Sequence, residues 1–214
     1  MAGVVGGRDY GVCKKINLVG VKVLTDEGLG TISSVIAGVQ FAASAASADA
    51  RRGRSVANMS LTGLASRALN AAVNNAILSG LPIAVAAGNF NSNAAGYSPA
   101  SVPNALTVGA IDPRNDVRAQ FSNFGSVVDI FAPGVNIISA YIGNDTTATA
   151  ILSGTSMATP FVTGVAAYFM ALLGELTPTE LANTIIGFSL KDMIVSPDRR
   201  SPNRIVYNNA EGST

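Results

Sequence analysis

Short β-branched runs alternate with stretches of helical periodicity along almost the whole chain, and this alternation restricts the fold more than any other feature. Residues 16–24, INLVGVKVL, show little polar alternation, the pattern of a strand buried on both faces. A Gly-rich turn follows, and from Ile32 the apolar positions Ile32, Val35, Ile36, Val39 and Ala43 fall at helical spacing. SVANMSL (55–61) is a second predicted strand, leading into a helical run from Leu64 to Ser79 that Gly80 closes. Three more strands are expected in LPIAVAAGN (81–89), ALTVGAI (105–111) and SVVDIFAPG (126–134). A long helix begins near Ser156, with Pro160 expected in its first turn, where a missing N–H is harmless. A last helix starts at TPTE (177–180), with Thr177 as N-cap, Pro178 at the first position and Glu180 completing a capping box. Strands separated by helices require crossover connections, hence a mostly parallel sheet with helices on both faces. The fold class is α/β.

Composition narrows the chemistry. The 214 residues are 48% apolar and 13% charged, which suits one domain with a real core and not a disordered chain. A net charge of +1 gives no basis for electrostatic capture of nucleic acid or an anionic membrane. The cluster Arg51-Arg52-Gly53-Arg54 reads as a solvated loop. The chain has no histidine, the commonest general base and metal ligand, and its one cysteine, Cys13, excludes an internal disulfide or a cysteine metal cluster. The apolar segment Phe161 to Leu173 is too short to span a bilayer, and Thr163 and Gly164 interrupt it. MAGVVGGRDYG shows no basic region followed by an apolar run, so no signal peptide is expected in this chain. GVVGG (3–7) and GLG (28–30) lack nucleotide-loop spacing.

Two places remain for chemistry. Ser156 lies where a Gly/Thr turn meets a helix N-terminus, beside unpaired backbone N–H groups and the positive end of a helix dipole. It reads either as a plain N-cap or as a nucleophile with an oxyanion site beside it. Asn89 ends a buried strand at its carboxyl edge, where open α/β sheets bind ligands. It reads either as a Gly-Asn turn or as a side-chain donor to a developing oxyanion.

Together the motifs resemble the subtilisin-like serine peptidases (subtilases), most closely the fungal proteinase K-like branch. SGTSMATP (153–160) resembles that family's nucleophile motif, supported by VAAGN with YSPAS (97–101) and Pro103, by SNFGSVVDIFAPG (122–134), by PNRIVYN (202–208) and by YGVCKKINLVGVKVL (10–24). The resemblance implies that Ser156 is the nucleophile of an acyl-enzyme mechanism and Asn89 the side-chain donor of the oxyanion hole. It implies that Ser60, Leu61, Thr62 and Gly63, with Ala86, Ala87 and Gly88, wall a cleft for an extended peptide or protein substrate. Thr62 stands where a glycine is usual, and Phe161 replaces a non-catalytic histidine. No cofactor is required; a structural calcium is implied on the carbonyls of Pro103 and Ala105 and the carboxylate of Asp129.

The resemblance also sets expectations about what precedes Met1. The family's aspartate motif would lie upstream and its histidine motif would end there, so residues 1–214 match the C-terminal part of one catalytic domain, without its first strands and most of its central helix. Such a chain is expected to be nearly inert alone, and weakly stable or prone to associate. Three readings follow: a shortened protease domain, a non-catalytic peptide-binding protein, or half of a split enzyme whose missing N-terminal fragment or propeptide is its partner. Secretion or a vacuolar location is implied by the family. Of two glycosylation sequons, Asn58-Met59-Ser60 falls in a predicted strand and Asn144-Asp145-Thr146 in a loop.

Overall fold

The computed structural model describes residues 1–48, 51, 53–143, 145–198 and 200–210; Arg52 of the basic cluster and Asn144 of the loop sequon lie outside the described residues. A short helix, α1 (Ala2–Gly6), is followed by irregular chain with turns and then by α2 (Ile32–Ala46). Next come β1 (Ala57–Met59), β2 (Gly63–Leu64), α3 (Arg67–Leu78), β3 (Ile83–Ala86), β4 (Tyr97–Ser98), β5 (Leu106–Asp112), β6 (Val117–Arg118) and β7 (Ile130–Pro133). The antiparallel pair β8 (Ile137–Ala140) and β9 (Thr149–Leu152) leads into α4 (Thr155–Leu173), then α5 (Pro178–Phe188), β10 (Leu190–Lys191) and β11 (Arg204–Ile205).

The main sheet runs β1-β3-β5-β7-β11-β10, with β6 against β5. The pairs from β1 through β11 are parallel, with Met59 opposite Val85, Ala86 opposite Val108, and Val108 opposite Ile130. Side chains alternate between the two faces. Val108, Ala110, Ile130 and Ala132 meet Val162, Ala166 and Phe169 of α4 on one face. Ile83 and Val85 meet Leu69, Val73 and Ile77 of α3 and Val35 and Val39 of α2 on the other. Each such side chain stabilises the fold by about 1.5–3 kcal/mol relative to an exposed one. Gly109 in β5 makes room for the Phe131 ring, which a Cβ there would approach to 2.3 Å.

The helices are bounded as their sequences dictate. Thr31 and Ser34 form a capping box on α2, Ser66 caps α3, and Thr177 and Glu180 form the expected box on α5. By length and composition α4 could cross a membrane, yet here its buried face packs on the sheet and on α5 while Leu172 and Leu173 are exposed.

Three expectations need correction. The helical run expected from Leu64 starts only at Arg67, because Leu64 pairs with Tyr97 in β2 and β4. Residues 16–24 form no strand, and β1 is the sheet edge. Among the described residues no neighbouring strand offers that run a hydrogen-bond ladder, and a β-branched run alone cannot hold a strand. Val23 packs toward α2 and its carbonyl accepts from the Ser34 hydroxyl, whereas Leu18, Val19 and Val21 are 48%, 64% and 37% exposed. Pro160 does not sit in the first turn of α4. Gly154 is the N-cap, so Pro160 is inside the helix, at a position where its missing N–H orphans the Ser156 carbonyl.

Candidate active site

The C-terminal ends of β1 and β3 and the N-terminus of α4 converge at one edge of the sheet. Gly154, the residue before α4, is anchored by its N–H to the carbonyl of Gly134 (2.8 Å), just beyond β7. Ser156 is then the second residue of the helix and half-buried, and its N–H makes no hydrogen bond to a described residue, as expected for a first-turn donor.

Asn89 is oriented by the residue before Ser156. Its Oδ1 accepts from the Thr155 N–H and from the Thr155 hydroxyl, both at 2.8 Å. The same hydroxyl accepts from the Gly88 N–H at 3.2 Å, which leaves its own proton for Asn89. With the oxygen side of the amide so occupied, the amide cannot be reversed without facing donor against donor. Its NH₂ group is thereby directed away from Thr155, and it forms no hydrogen bond with a described residue.

Asn123, fully buried, clamps the same segment. Its Nδ2 donates to the Ala87 carbonyl (2.8 Å), its Oδ1 accepts from the N–H groups of Phe90 (2.9 Å) and Ser92 (3.1 Å), and its own N–H donates to the Gly88 carbonyl (2.9 Å). Gly88 itself has φ +105°, and a Cβ there would lie 2.4 Å from Asn123 Nδ2, so only glycine suits the bend that delivers Asn89.

Ser60, just beyond β1, faces Ser156. The Ser60 hydroxyl donates to the Ser156 carbonyl (2.9 Å), and the Ser156 hydroxyl donates to the Ser60 carbonyl (3.3 Å). Behind Ser60, Asn58 Nδ2 donates to its Oγ (2.9 Å) and Thr163 Oγ1 donates to Asn58 Oδ1 (3.0 Å). The side chain of Asn58 is therefore engaged inside the protein.

The two segments expected to wall a cleft differ in character. Ser60 to Gly63 is partly open, and its end joins β2, which pairs with β4. Ala86, Ala87 and Gly88 are buried: the N–H of Ala87 goes to Val108 O, that of Gly88 to Thr155 Oγ1, and the carbonyls of Ala87 and Gly88 go to Asn123. They are buried and leave few open main-chain groups. Thr62 leans over them, its Cγ2 only 3.2 Å from where a Gly88 Cβ would be.

Asp129 lies at the opposite edge, before the N-terminal end of β7. Burial pushes its carboxyl up to about 6, against the opposing pull of the Thr107 N–H, 2.7 Å from Oδ2, and of Arg204. It forms no ion pair among the described residues. A buried carboxylate without an ion-pair partner among the described residues is one oxygen donor of the kind calcium takes, and Thr107, whose N–H it meets, lies two residues after Ala105 and four after Pro103. No group of three or more acidic, histidine or cysteine side chains occurs among the described residues, so any ion here would lean on carbonyls and water.

Sequence reasoning missed Thr155, Asn123 and Asn58. Polar residues flanking a nucleophile or ending a strand are too common to single out without knowing what they touch.

A family model described as the Subtilase family matches residues 1–203. The chain belongs to the subtilase family. Among curated relatives, this subtilase is 48% identical over 207 residues to Subtilisin-like protease 2 of Pseudogymnoascus destructans, covering 97% of this chain and 50% of that protein. It is 47% identical over 224 residues to cerevisin of Saccharomyces cerevisiae, covering 97% of this chain and 35% of that protein. The subtilase chain thus spans about half the length, or less, of these curated relatives. The crystal structure of a cold adapted subtilisin-like serine proteinase matches it with a TM-score of 0.91 at 45% identity, over 98% of this chain and 73% of that one. The subtilisin-like α/β fold, with its mostly parallel sheet, follows from that match.

Proposed function

We propose that this chain carries the nucleophile and oxyanion half of a serine endopeptidase site. The observation that carries the reading is the double hydrogen bond from Thr155 to Asn89 Oδ1, which turns the Asn89 NH₂ group outward beside the helix start that bears Ser156. In this reading Ser156 Oγ attacks the scissile carbonyl carbon while its proton passes to a base. The carbonyl oxygen, now an oxyanion, is stabilised by the Ser156 N–H and Asn89 Nδ2. Collapse expels the amine, which takes the proton, and leaves an acyl-enzyme that water hydrolyses.

The base is the missing part. The sequence contains no histidine, and the Ser156 hydroxyl donates to a main-chain carbonyl, which cannot accept a proton outright. A serine without an adjacent base is a weak nucleophile, so the chain alone hydrolyses peptides slowly and a base on polypeptide outside these residues completes the site. The substrate is an extended peptide running along Ser60 to Gly63 by strand addition, packed against Ala86 to Gly88. Calcium is held by Asp129 with the carbonyls of Pro103 and Ala105 and acts structurally. A secreted or vacuolar location suits such a protease.

A second reading, peptide binding without chemistry, is favoured by the same lack of an imidazole. Fluorophosphonate labelling with peptide mapping, run on the chain alone and with a polypeptide that supplies the family's aspartate and histidine motifs, separates the two. Modification of Ser156, abolished in Ser156→Ala and slowed by about 10²–10³ in Asn89→Ala, supports the acyl-transfer site; that magnitude is borrowed from the corresponding donor in subtilisin, a family member. A Ser156 that stays unlabelled even with that polypeptide added, in a chain that still binds peptide, would favour the second reading.

A further inference from the structure

Inside an α-helix the residue at position 160 would donate its N–H to the carbonyl of Ser156, four residues earlier. Proline has no such hydrogen, so that carbonyl is left without its helical donor, at the residue whose placement matters most. An unpaired carbonyl at a partly buried site is costly, and it also loosens the turn it belongs to. The Ser60 hydroxyl donates to this same carbonyl at 2.9 Å from an element 96 residues away. Ser60 is itself held from behind, by Asn58 Nδ2 at 2.9 Å, and Asn58 by Thr163, about one turn beyond Pro160 on α4. The polar chain therefore leaves the helix at Thr163, crosses β1 and returns to the helix at Ser156, bridging the gap that Pro160 makes.

We infer that Ser60 is a positioning residue whose hydroxyl substitutes for the N–H that Pro160 lacks, fixing the first turn of α4 and the Ser156 hydroxyl on it. The return bond from Ser156 Oγ to the Ser60 carbonyl makes the contact reciprocal, so either residue can shift only by disturbing both bonds. The consequence for chemistry rests on Ser156 being the nucleophile; the hydrogen-bond substitution does not.

A double-mutant cycle of Ser60→Ala and Pro160→Ala tests it, because Pro160→Ala restores the helical donor. Three readouts are used: urea unfolding, the triple-resonance NMR signal joining the Met157 N–H to the Ser156 carbonyl carbon, and the rate of fluorophosphonate labelling. Ser60→Ala alone is expected to lower the folded-to-unfolded ratio and the labelling rate by about tenfold each, and to move the Ser156 carbonyl signal upfield. In the Pro160→Ala background the same change should alter each rate or ratio by less than about twofold, because the Ser156 carbonyl keeps a partner. Equal losses from Ser60→Ala in both backgrounds overturn the inference. Should Ser60→Ala fail to fold, folding of the double variant supports the substitution and its failure to fold overturns it. If the parent chain is not labelled even with the base-bearing polypeptide added, the acyl-transfer reading fails, while unfolding and the carbonyl signal still decide the role of Ser60.

Discussion

Thr155 holds Asn89 by two hydrogen bonds to one oxygen, from its main-chain N–H and from its hydroxyl, each 2.8 Å long. The hydroxyl is also the acceptor for the Gly88 N–H. One side chain thus links the bend after β3 to the first turn of α4, and it sets which side of the Asn89 amide meets the cleft.

Replacing Thr155 by valine keeps the shape but removes that hydroxyl. Thr155→Val leaves the buried Gly88 N–H without an acceptor and Asn89 with one anchor instead of two. A loss of about 1–3 kcal/mol in stability is expected by urea unfolding, with Ser156 labelling slowed by about tenfold. Unchanged labelling would mean that Asn89 is oriented by other contacts.

Asn123 is the deeper support. Asn123→Ala strips partners from the Ala87 carbonyl and from the Phe90 and Ser92 N–H groups together. About 2–4 kcal/mol of destabilisation is expected, since several buried polar groups are orphaned at once. Hydrogen exchange at Phe90 and Ser92 should accelerate ahead of the strand amides of β3 and β5. Exchange that speeds up uniformly would instead indicate global destabilisation alone.

Thr62 narrows the space above Gly88. Under the proposed substrate geometry, Thr62→Gly opens that space to bulkier side chains. Peptide aldehydes ending in phenylalanine should then compete with Ser156 labelling at least about tenfold better than against the parent, a gain in line with burying a few methylenes. Aldehydes ending in alanine should change little. No gain for the larger group would place the pocket elsewhere.

Asp129 ties stability to pH and calcium. Its carboxyl titrates at about 6 when folded, against 3.8 for an unperturbed side chain. Below the lower value both states are protonated and no penalty applies; as pH rises through the interval the unfolded chain releases its proton first, so stability falls. Above about pH 6 the fold carries the buried charge in full. In chelator, Asp129→Asn should therefore gain in melting temperature relative to the parent at about pH 7.5 and show no such gain at about pH 3.5. Calcium, which needs the ionised form, should raise the parent's melting temperature at the higher pH only and leave Asp129→Asn unmoved. Melts insensitive to calcium at both pH values would remove the ion from the proposal.

Much of the backbone was legible because its causes are local. Helical spacing from Ile32, the Thr177-Pro178-Glu180 start and the apolar runs of β3, β5 and β7 each declare an element within a few residues. Residues 16–24 show the limit of that logic. Their composition is that of a strand, but a strand exists only where a neighbour accepts its hydrogen bonds.

By itself, then, the sequence determined the main helices, the core strands β1, β3, β5 and β7, the α/β class and the motif around Ser156, since periodicity and turn chemistry act over short range. Only the tertiary structure decided how that motif is held. Pro160 stands inside α4, which local rules disfavour, and Ser60 answers its orphaned carbonyl from 96 residues away. Asn89 is turned by Thr155 across 66 residues and braced by Asn123, contacts that exist because parallel crossovers bring the carboxyl ends of β1 and β3 against the start of one helix.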